Sequence, residues 1–373
     1  MVETKRKQEM ARIGLGQEDR DSCRSVTSYF SVASSRRNSG VLCNSDLKIG
    51  GGLRRNRGGV QRGGVRPPAY VLRAMLTTMI SSTTNAFSMP NTNVIDSHLH
   101  VWASASDTLF PYDNPPPPTL QNLATPESLI ERMNDAGVDG ALIVQPINHK
   151  FDHSFVTAAI LKYPHKFKGM LLHDPSLSAE LAVERVEQLV LQGYVGVRFN
   201  PYLWPTGELM SKGSGLAVYK RCGEMNVPVG VMCFKGLGLH FDDILALIEN
   251  SPDTILILDH FGFCALDVNG DKAFEQLLKL ATHPNVIIKI SALFRNTGGV
   301  DSFPYNKIKE KRFLPLLRLF GAKRLMMGSD FPYVLETEGS YKGAVETVRS
   351  WVQEGDDRDA VTGGNAERLF GSW

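Results

Sequence analysis

Short apolar runs rich in β-branched residues alternate along this chain with segments whose apolar residues recur at helical spacing. From Asn93 onward there are eight such runs, at 94–96, 140–145, 167–172, 195–199, 227–233, 254–258, 286–290 and 325–328. The segments between them, such as 179–190, place apolar residues three or four positions apart, which predicts amphipathic helices. The runs are apolar almost throughout, and that pattern is typical of strands buried on both faces of a parallel sheet.

Eight strand–helix units in about 280 residues match the size of a closed (β/α)8 barrel. Thr125-Pro126 is a favourable helix start, and Pro164, Pro228 and Pro284 fall just before predicted strands, where a helix has ended. An open doubly wound sheet is the alternative, but no glycine-rich nucleotide loop follows any of the strands. The sequence therefore predicts an α/β fold, a single TIM barrel with its active site at the carboxyl ends of the strands.

The first 92 residues differ in composition from the rest. They contain 15 Lys and Arg against 6 Asp and Glu, whereas the remainder contains 26 against 33, so the net charge of +2 combines a basic leader with a mildly acidic body. Between Ser22 and Arg73 the one acidic residue is Asp46, and apolar periodicity is absent. We therefore expect a disordered basic leader at 1–92 and a barrel domain at 93–373.

The leader also suggests a location for the protein. A Ser- and Arg-rich, acid-poor N-terminus resembles an organelle transit peptide, which favours the chloroplast, with the cytoplasm as the alternative. Residues 2–9 do not fit that pattern well, so an extension ahead of a true start at Met75 or Met89 is a second explanation. The five cysteines lack C-x-x-C spacing and fit a reducing compartment.

Composition also narrows the classes of partner. The acidic body argues against nucleic-acid binding, and no apolar stretch approaches the ~18 residues of a membrane-spanning helix. We therefore expect a small-molecule substrate as the partner, while the sequence gives no indication of the oligomeric state.

Polar side chains lie at the ends of several predicted strands, where a hydrophobic core would exclude them. His98 and His100 lie two positions apart at the end of the first strand, so their side chains point the same way. Other strand ends carry His173, Arg198, Asn200, Asp259, His260, Lys289, Ser291, Ser329 and Asp330. Because the carboxyl ends of barrel strands meet at one rim, these residues are expected to form a site. Paired imidazoles with an aspartate suit polarising a carbonyl or holding a divalent metal.

These residues resemble the amidohydrolase superfamily, specifically its amidohydrolase-related branch of lactonases and decarboxylases. Six motifs carry the resemblance in the right order across roughly 93–370: DSHLHVW at 96–102, GVRFN at 196–200, LDHFG at 258–262, KIS at 289–291, MGSDFP at 327–332 and NAERLF at 365–370. The resemblance implies that His98, His100, His260 and Asp330 are the catalytic set. It also implies that Arg198 contacts a carboxylate or carbonyl of the substrate.

The sequence departs from the binuclear members of that superfamily. Those members place a carboxylated Lys or a Glu after strand four and a His after strand five, whereas here these places read RFN at 198–200 and MCF at 232–234. A bridged two-metal site is therefore not expected. The four catalytic residues suffice for one divalent ion, zinc or manganese. A metal-free site is an equal expectation, because the lactonase subgroup includes members that resemble this pattern and work without metal.

The predicted reaction is hydrolysis of a lactone or similar cyclic ester of a small organic or sugar acid. Asp330 is the candidate base for the water, and the histidines would polarise the carbonyl directly or through a metal. Further candidates for substrate contacts are Asn200, Lys289, Trp102 and His173. Lys289 has the alternative of a structural ion pair with a strand carboxylate, and Arg198 that of an ion pair at the rim.

Two other functions remain as alternatives. Metal-dependent non-oxidative decarboxylation occurs in the same branch, but the missing strand-five histidine argues against it. A non-catalytic barrel that serves as a binding module is the other alternative, and the intact pair His98 and His100 together with Asp330 argues against that reading.

Overall fold

The computed structural model describes residues 93–373, so the expected leader, its disorder and its targeting role lie outside the described residues. Eight parallel strands pair in the order of the chain, each with its neighbour. The strands are β1 Ile95–Leu99, β2 Gly140–Val144, β3 Phe167–Leu172, β4 Tyr194–Phe199, β5 Val229–Val231, β6 Leu256–Leu258, β7 Val286–Ile290 and β8 Leu325–Met327. Each predicted run overlaps one of these strands, which confirms the (β/α)8 barrel.

Helices follow the strands in alternation. They are α1 Pro126–Ala136, α2 Ser154–Lys162, α3 Ala179–Leu191, α4 Gly213–Met225, α5 Phe241–Asn250, α6 Val268–Lys279, α7 Asn306–Ile308, α8 Leu314–Phe320, α9 Ser340–Trp351, α10 Asp356–Asp359 and α11 Asn365–Phe370. Thr125 caps α1 by accepting a hydrogen bond from the backbone N of Ser128, and Pro126 is its first residue, as the sequence predicted. None of the helices in 93–373 is both long and apolar enough to cross a membrane.

The barrel closes between its last and first strands. The backbone N of Asp330 donates to the carbonyl of His98 at 2.9 Å, and the backbone N of His100 donates to the carbonyl of Phe331 at 2.7 Å. The Ser97 hydroxyl adds a 2.6 Å bond to the carbonyl of Met327. The closure therefore places the aspartate after β8 beside the two histidines of β1.

Alternate residues of the strands pack into two apolar clusters. Leu256 and Leu258 belong to the larger cluster with the outer helices, whereas Ile257 between them belongs to a smaller cluster that also contains Met170 and Phe370 of α11. The smaller cluster therefore fills the barrel interior, and the last helix closes one end of it.

Lys289 follows the same alternation on β7. Its neighbours Ile288 and Ile290 pack outward with the larger cluster, so Lys289 points into the interior, where its Nζ lies 4.0 Å from the sulfur of Met170. A layer of polar side chains thus begins directly next to the apolar cluster in the barrel interior, towards the carboxyl ends of the strands.

Candidate active site

The four residues of the implied catalytic set lie together at the carboxyl ends of the strands. His98, His100 and Asp330 each offer one ligand atom, and these atoms lie within 4.8 Å of one another. His260 joins them, with its ring centroid 4.3 Å from that of His98 and its Nε2 3.9 Å from Asp330 Oδ1. All four side chains are buried. Residues separated by more than 200 positions in the sequence therefore form one compact cluster.

Each histidine is oriented through its Nδ1 atom. His100 Nδ1 lies 2.8 Å from the carbonyl of Val144, and His260 Nδ1 lies 2.8 Å from the hydroxyl of Ser291. Because a carbonyl only accepts, His100 carries its proton on Nδ1 and presents a lone pair at Nε2. That Nε2 lies 3.6 Å from Asp330 Oδ1, so two acceptors face each other without a proton between them.

The orientation of His98 depends on Asp259. His98 Nδ1 lies 3.1 Å from Asp259 Oδ1, while its Nε2 is buried and makes no hydrogen bond to any of residues 93–373. Burial lowers the pKa of His98 to about 3 and holds the pKa values of His100 and His260 well below their ordinary range. The imidazoles are therefore neutral at pH 7 and able to act as metal ligands.

These observations test whether the cluster suits a metal. A buried, unpartnered imidazole nitrogen, a second imidazole held with its lone pair inward and a facing carboxylate form the donor set that a divalent ion requires. His98, His100 and Asp330 therefore fit one divalent ion, with His260 next to them. After β5 the chain presents a buried thiol, Cys233, whose pKa burial raises well above its ordinary range. A thiol held protonated in this way is a poor metal ligand.

Asp330 is fixed from two directions. Its backbone adopts a left-handed conformation with φ of 63°, which aspartate tolerates better than most residues. Its Oδ2 accepts a 2.8 Å hydrogen bond from Arg295 Nε. Burial raises the pKa of Asp330 while the Arg295 charge opposes that shift, and the net pKa is raised. The pKa of Asp330 therefore lies closer to neutral pH than that of an exposed aspartate.

A buried aspartate from β1 supports the turn that carries Asp330. Asp96 accepts hydrogen bonds from the backbone N and the hydroxyl of Ser329 at 3.0 and 2.6 Å, and also from the backbone N of His98 at 3.1 Å. One carboxylate therefore ties the residue before Asp330 to the strand that carries the histidines.

A buried ionic group lies behind the histidines. Asp259 Oδ1 is 3.5 Å from Lys289 Nζ, and its Oδ2 is 3.2 Å from Arg198 Nε. Although burial alone would raise the pKa of Asp259, His98, Lys289 and Arg198 together hold it well below its ordinary range. Lys289 is fully buried, so it forms an ion pair with a strand-end carboxylate, the alternative considered for it on sequence grounds. Apart from its bond to Asp259, the side chain of Arg198 makes no hydrogen bond within residues 93–373.

Three other residues were predicted to contact substrate, and the structure gives each of them protein contacts. Asn200 accepts a 3.2 Å bond from the backbone N of Tyr202 and caps the turn after β4. His173 packs on the rings of Phe199 and Trp204. Trp102 is fully buried, and Tyr333 separates it from His100 by making edge contacts with both rings at 6.1 Å. Contact of these three residues with a substrate stays a prediction.

The sequence reasoning missed Arg295, which follows β7 on a 3₁₀ turn at Leu293–Asn296. Its guanidinium lies over the ring of Tyr333 at 4.7 Å and is about one quarter exposed. No motif in the sequence marks this position. An arginine shortly after a predicted barrel strand is the one signal that would have pointed to it.

A cavity of about 420 Å³ lies beside β3 and α3, and its lining contains His173 but none of the four clustered residues. His153 lines it, but Nδ1 of this histidine lies 2.9 Å from the carbonyl of Phe151 and Nε2 accepts from the backbone N of Leu172. Both ring nitrogens of His153 are therefore engaged in structural bonds.

Comparison with known proteins identifies several relatives. The sequence profile of the Amidohydrolase family matches residues 95–372. An L-fucono-1,5-lactonase of Burkholderia multivorans is 30% identical over 139 residues, which cover 34% of this chain and 47% of that protein, so the match spans about half of the relative's length.

Solved structures with the same fold extend the comparison. A probable 2-pyrone-4,6-dicarboxylic acid hydrolase of Acinetobacter baumannii with bound citric acid is 20% identical, with a TM-score of 0.62 over 75% of this chain and 99% of its own. An amidohydrolase of Burkholderia multivorans with bound zinc is also 20% identical, with a TM-score of 0.59 over 75% of this chain and 100% of its own. At this identity these likenesses show a shared fold. The family profile covers most of the chain, which therefore belongs to the amidohydrolase family, as its motifs predicted.

Proposed function

We propose that this protein hydrolyses a lactone or similar cyclic ester of a small organic acid that carries a carboxylate. The observation that carries the proposal is the Asp330 carboxyl held opposite three neutral imidazoles, with Arg198 and Arg295 beside them. The lactonase among the relatives and the hydrolase among the structural neighbours support it.

Asp330 is the proposed general base. Its Oδ1 lies 3.6 Å from His100 Nε2 and 3.9 Å from His260 Nε2, which is too far for a direct hydrogen bond, so this oxygen can accept a proton from a water. Asp330 takes a proton from that water as oxygen attacks the lactone carbonyl. The same carboxyl then returns the proton to the ring oxygen as the acyl C–O bond breaks, so one water is consumed and one hydroxy acid is formed.

The carbonyl oxygen gains negative charge during this step and needs a positive partner. His98, His100 and Asp330 would hold a divalent ion, which when bound supplies that charge and makes water more acidic. Because His100 presents a lone pair, this imidazole cannot donate to an oxyanion itself. The protein's own residues therefore orient the ligand atoms of His98, His100 and Asp330 and exclude bulk water from the buried cluster.

Arg198 is the proposed contact for a substrate carboxylate. Its Nε is occupied by Asp259, and its two terminal nitrogens form a fork suited to a carboxylate. A guanidinium presented in this way favours an anionic substrate over a neutral one.

The experiment is a pH-indicator hydrolysis screen of the full chain against matched lactones with and without a carboxylate, in the presence and absence of a chelator. We expect turnover of carboxylated lactones that Asp330→Asn abolishes without loss of folded structure. Release of carbon dioxide from aromatic acids in place of lactone turnover would contradict the proposal and favour a decarboxylase. Silence from a folded wild-type protein across the panel would favour a non-catalytic barrel.

A further inference from the structure

The buried ionic group behind the histidines places two competing neighbours beside one ring nitrogen. Asp259 Oδ1 and Lys289 Nζ both approach the same ring nitrogen, His98 Nδ1, at 3.1 and 3.2 Å. One neighbour can only accept a proton from that nitrogen, and the other can only donate to it. The two contacts thus favour opposite tautomers of His98.

We infer that Asp259 is a positioning residue that fixes His98 with its proton on Nδ1 and its Nε2 lone pair directed into the site, and that Lys289 serves as counter-ion to Asp259. In the opposite tautomer Lys289 would donate to Nδ1, and a nitrogen lone pair would then face the Asp259 carboxylate at 3.1 Å. A bond from Nδ1–H to a carboxylate is charge-assisted and is the stronger option at that distance.

The surroundings of Asp259 keep this carboxylate in place. Arg198 Nε occupies its Oδ2 at 3.2 Å, and Lys289 lies 3.5 Å from its Oδ1. Two cations on one fully buried carboxylate compensate the cost of burying its charge. Asp259 therefore remains free to accept one further proton donor, and His98 Nδ1 is the donor within reach.

The neighbouring histidine of β1 provides an independent check. His100 is held in the same tautomer by the carbonyl of Val144, which cannot donate. With Asp259 acting in the same way on His98, both imidazoles of β1 present Nε2 lone pairs towards the space beside Asp330. A carbonyl and a carboxylate thus orient two adjacent rings alike, which pre-organises the site for a cation and not for an oxyanion.

The inference does not depend on any substrate, because the tautomer is a property of the resting protein. The measurement is the long-range proton–nitrogen NMR spectrum of full-length protein labelled with ¹⁵N-histidine and kept in chelator, with the His98 signal assigned by its loss in His98→Gln. We expect a protonated, pyrrole-like Nδ1 and an unprotonated Nε2. A protonated Nε2 on His98 in the wild-type protein would overturn the inference outright.

Two variants separate the roles of the neighbours. Asp259→Asn replaces the acceptor with an amide that can donate, so His98 should switch to the Nε2–H tautomer and the affinity for Zn²⁺, measured by chelator competition, should fall about 10- to 100-fold. Lys289→Met is the matched control, since it removes the competing donor and should leave the proton on Nδ1. Retention of the wild-type tautomer in folded Asp259→Asn would contradict the assignment. If that variant does not fold, the wild-type and Lys289→Met spectra still decide the question.

Discussion

Acidification is expected to destabilise this barrel because its buried histidines are held in the neutral form. Burial lowers the pKa of His98 to about 3 and the pKa values of His153 and His173 to about 4. Burial also holds the pKa values of His100 and His260 well below the ordinary range, so these two act in the same direction. The unfolded chain carries the same imidazoles at about 6.5 and therefore binds protons that the folded barrel does not.

A histidine whose pKa is lowered by folding costs no stability above pH 6.5. The cost grows as the pH falls from 6.5 towards the pKa of that histidine in the folded state. At pH 5, each of His98, His153 and His173 costs about 2 kcal/mol relative to pH 7.5, because protonating the unfolded form gains about 1.4 kcal/mol per pH unit below 6.5. Asp96 changes the stability in the opposite direction. Burial raises its pKa to about 6, so protonation at pH 5 restores about 1.4 kcal/mol.

The expected loss from these four groups between pH 7.5 and pH 5 is about 5 kcal/mol, comparable with the entire stability of a marginally stable domain, and His100 and His260 add to it. The assay is urea unfolding of the full chain at pH 7.5, 6 and 5 in chelator, followed by tryptophan fluorescence and circular dichroism. The free energy of unfolding should decrease steadily across this range. An equal free energy of unfolding at pH 7.5 and pH 5 would refute the reasoning from buried neutral histidines.

A pair of variants tests the histidine contribution separately from other acid effects. His173→Gln removes one of the buried imidazoles and should reduce the loss between pH 7.5 and pH 5 by about 2 kcal/mol, whatever it does to stability at pH 7.5. His165→Gln is the matched control, because His165 is exposed and should leave the pH dependence unchanged. An equal reduction in both variants would show that the loss does not arise from burial.

Three further predictions concern the cluster around Asp330. Arg295→Gln removes the charge that opposes the rise of the Asp330 pKa, so the acidic limb of the kcat/KM profile should move to higher pH; an unmoved limb would remove Arg295 from control of this carboxyl. Asp330→Asn should lower kcat about 10²- to 10⁴-fold on the best lactone, the range that general-base catalysis supplies, and a smaller effect would argue against the assigned base. Ser329→Ala removes a donor from buried Asp96 and should cost about 1–3 kcal/mol in urea unfolding at pH 7.5, whereas an unchanged midpoint would show that water replaces the hydroxyl.

Apolar pattern located every strand of the barrel but not the strand limits. The run at 227–233 contains the three-residue β5 Val229–Val231, and the run at 254–258 contains β6 Leu256–Leu258. The first strand, by contrast, is longer than its predicted run: the run covers 94–96, whereas β1 spans Ile95–Leu99 and continues through a polar histidine. Apolarity reports burial, whereas a strand is defined by backbone pairing, and the two coincide only in the middle of each run.

The site was predictable where strand ends alone place the side chain. His98 and His100 share a face because of their spacing, and Asp330 follows the last strand, which must close on the first. Arg295 was not predictable, because its position depends on the path of a turn that begins at Ala292 with φ of 48°. The pairing of Lys289 with Asp259 needed the register between β6 and β7, which no single strand pattern contains.

Charge burial explains why this polar layer lies within the strands or directly after their ends. Asp259, Lys289 and Arg198 are individually costly in a barrel interior, and removal of one partner would leave an uncompensated charge. A mobile loop would expose such a group to alternative partners and to water, whereas the paired strands hold each group at hydrogen-bond distance from the next. Asp330 and His260 even adopt left-handed backbone conformations, with φ of 63° and 51°, which the surrounding bonds must stabilise. The same rigidity that makes the buried charges tolerable also holds the ligand atoms of His98, His100 and Asp330 within 4.8 Å of one another before any ligand arrives.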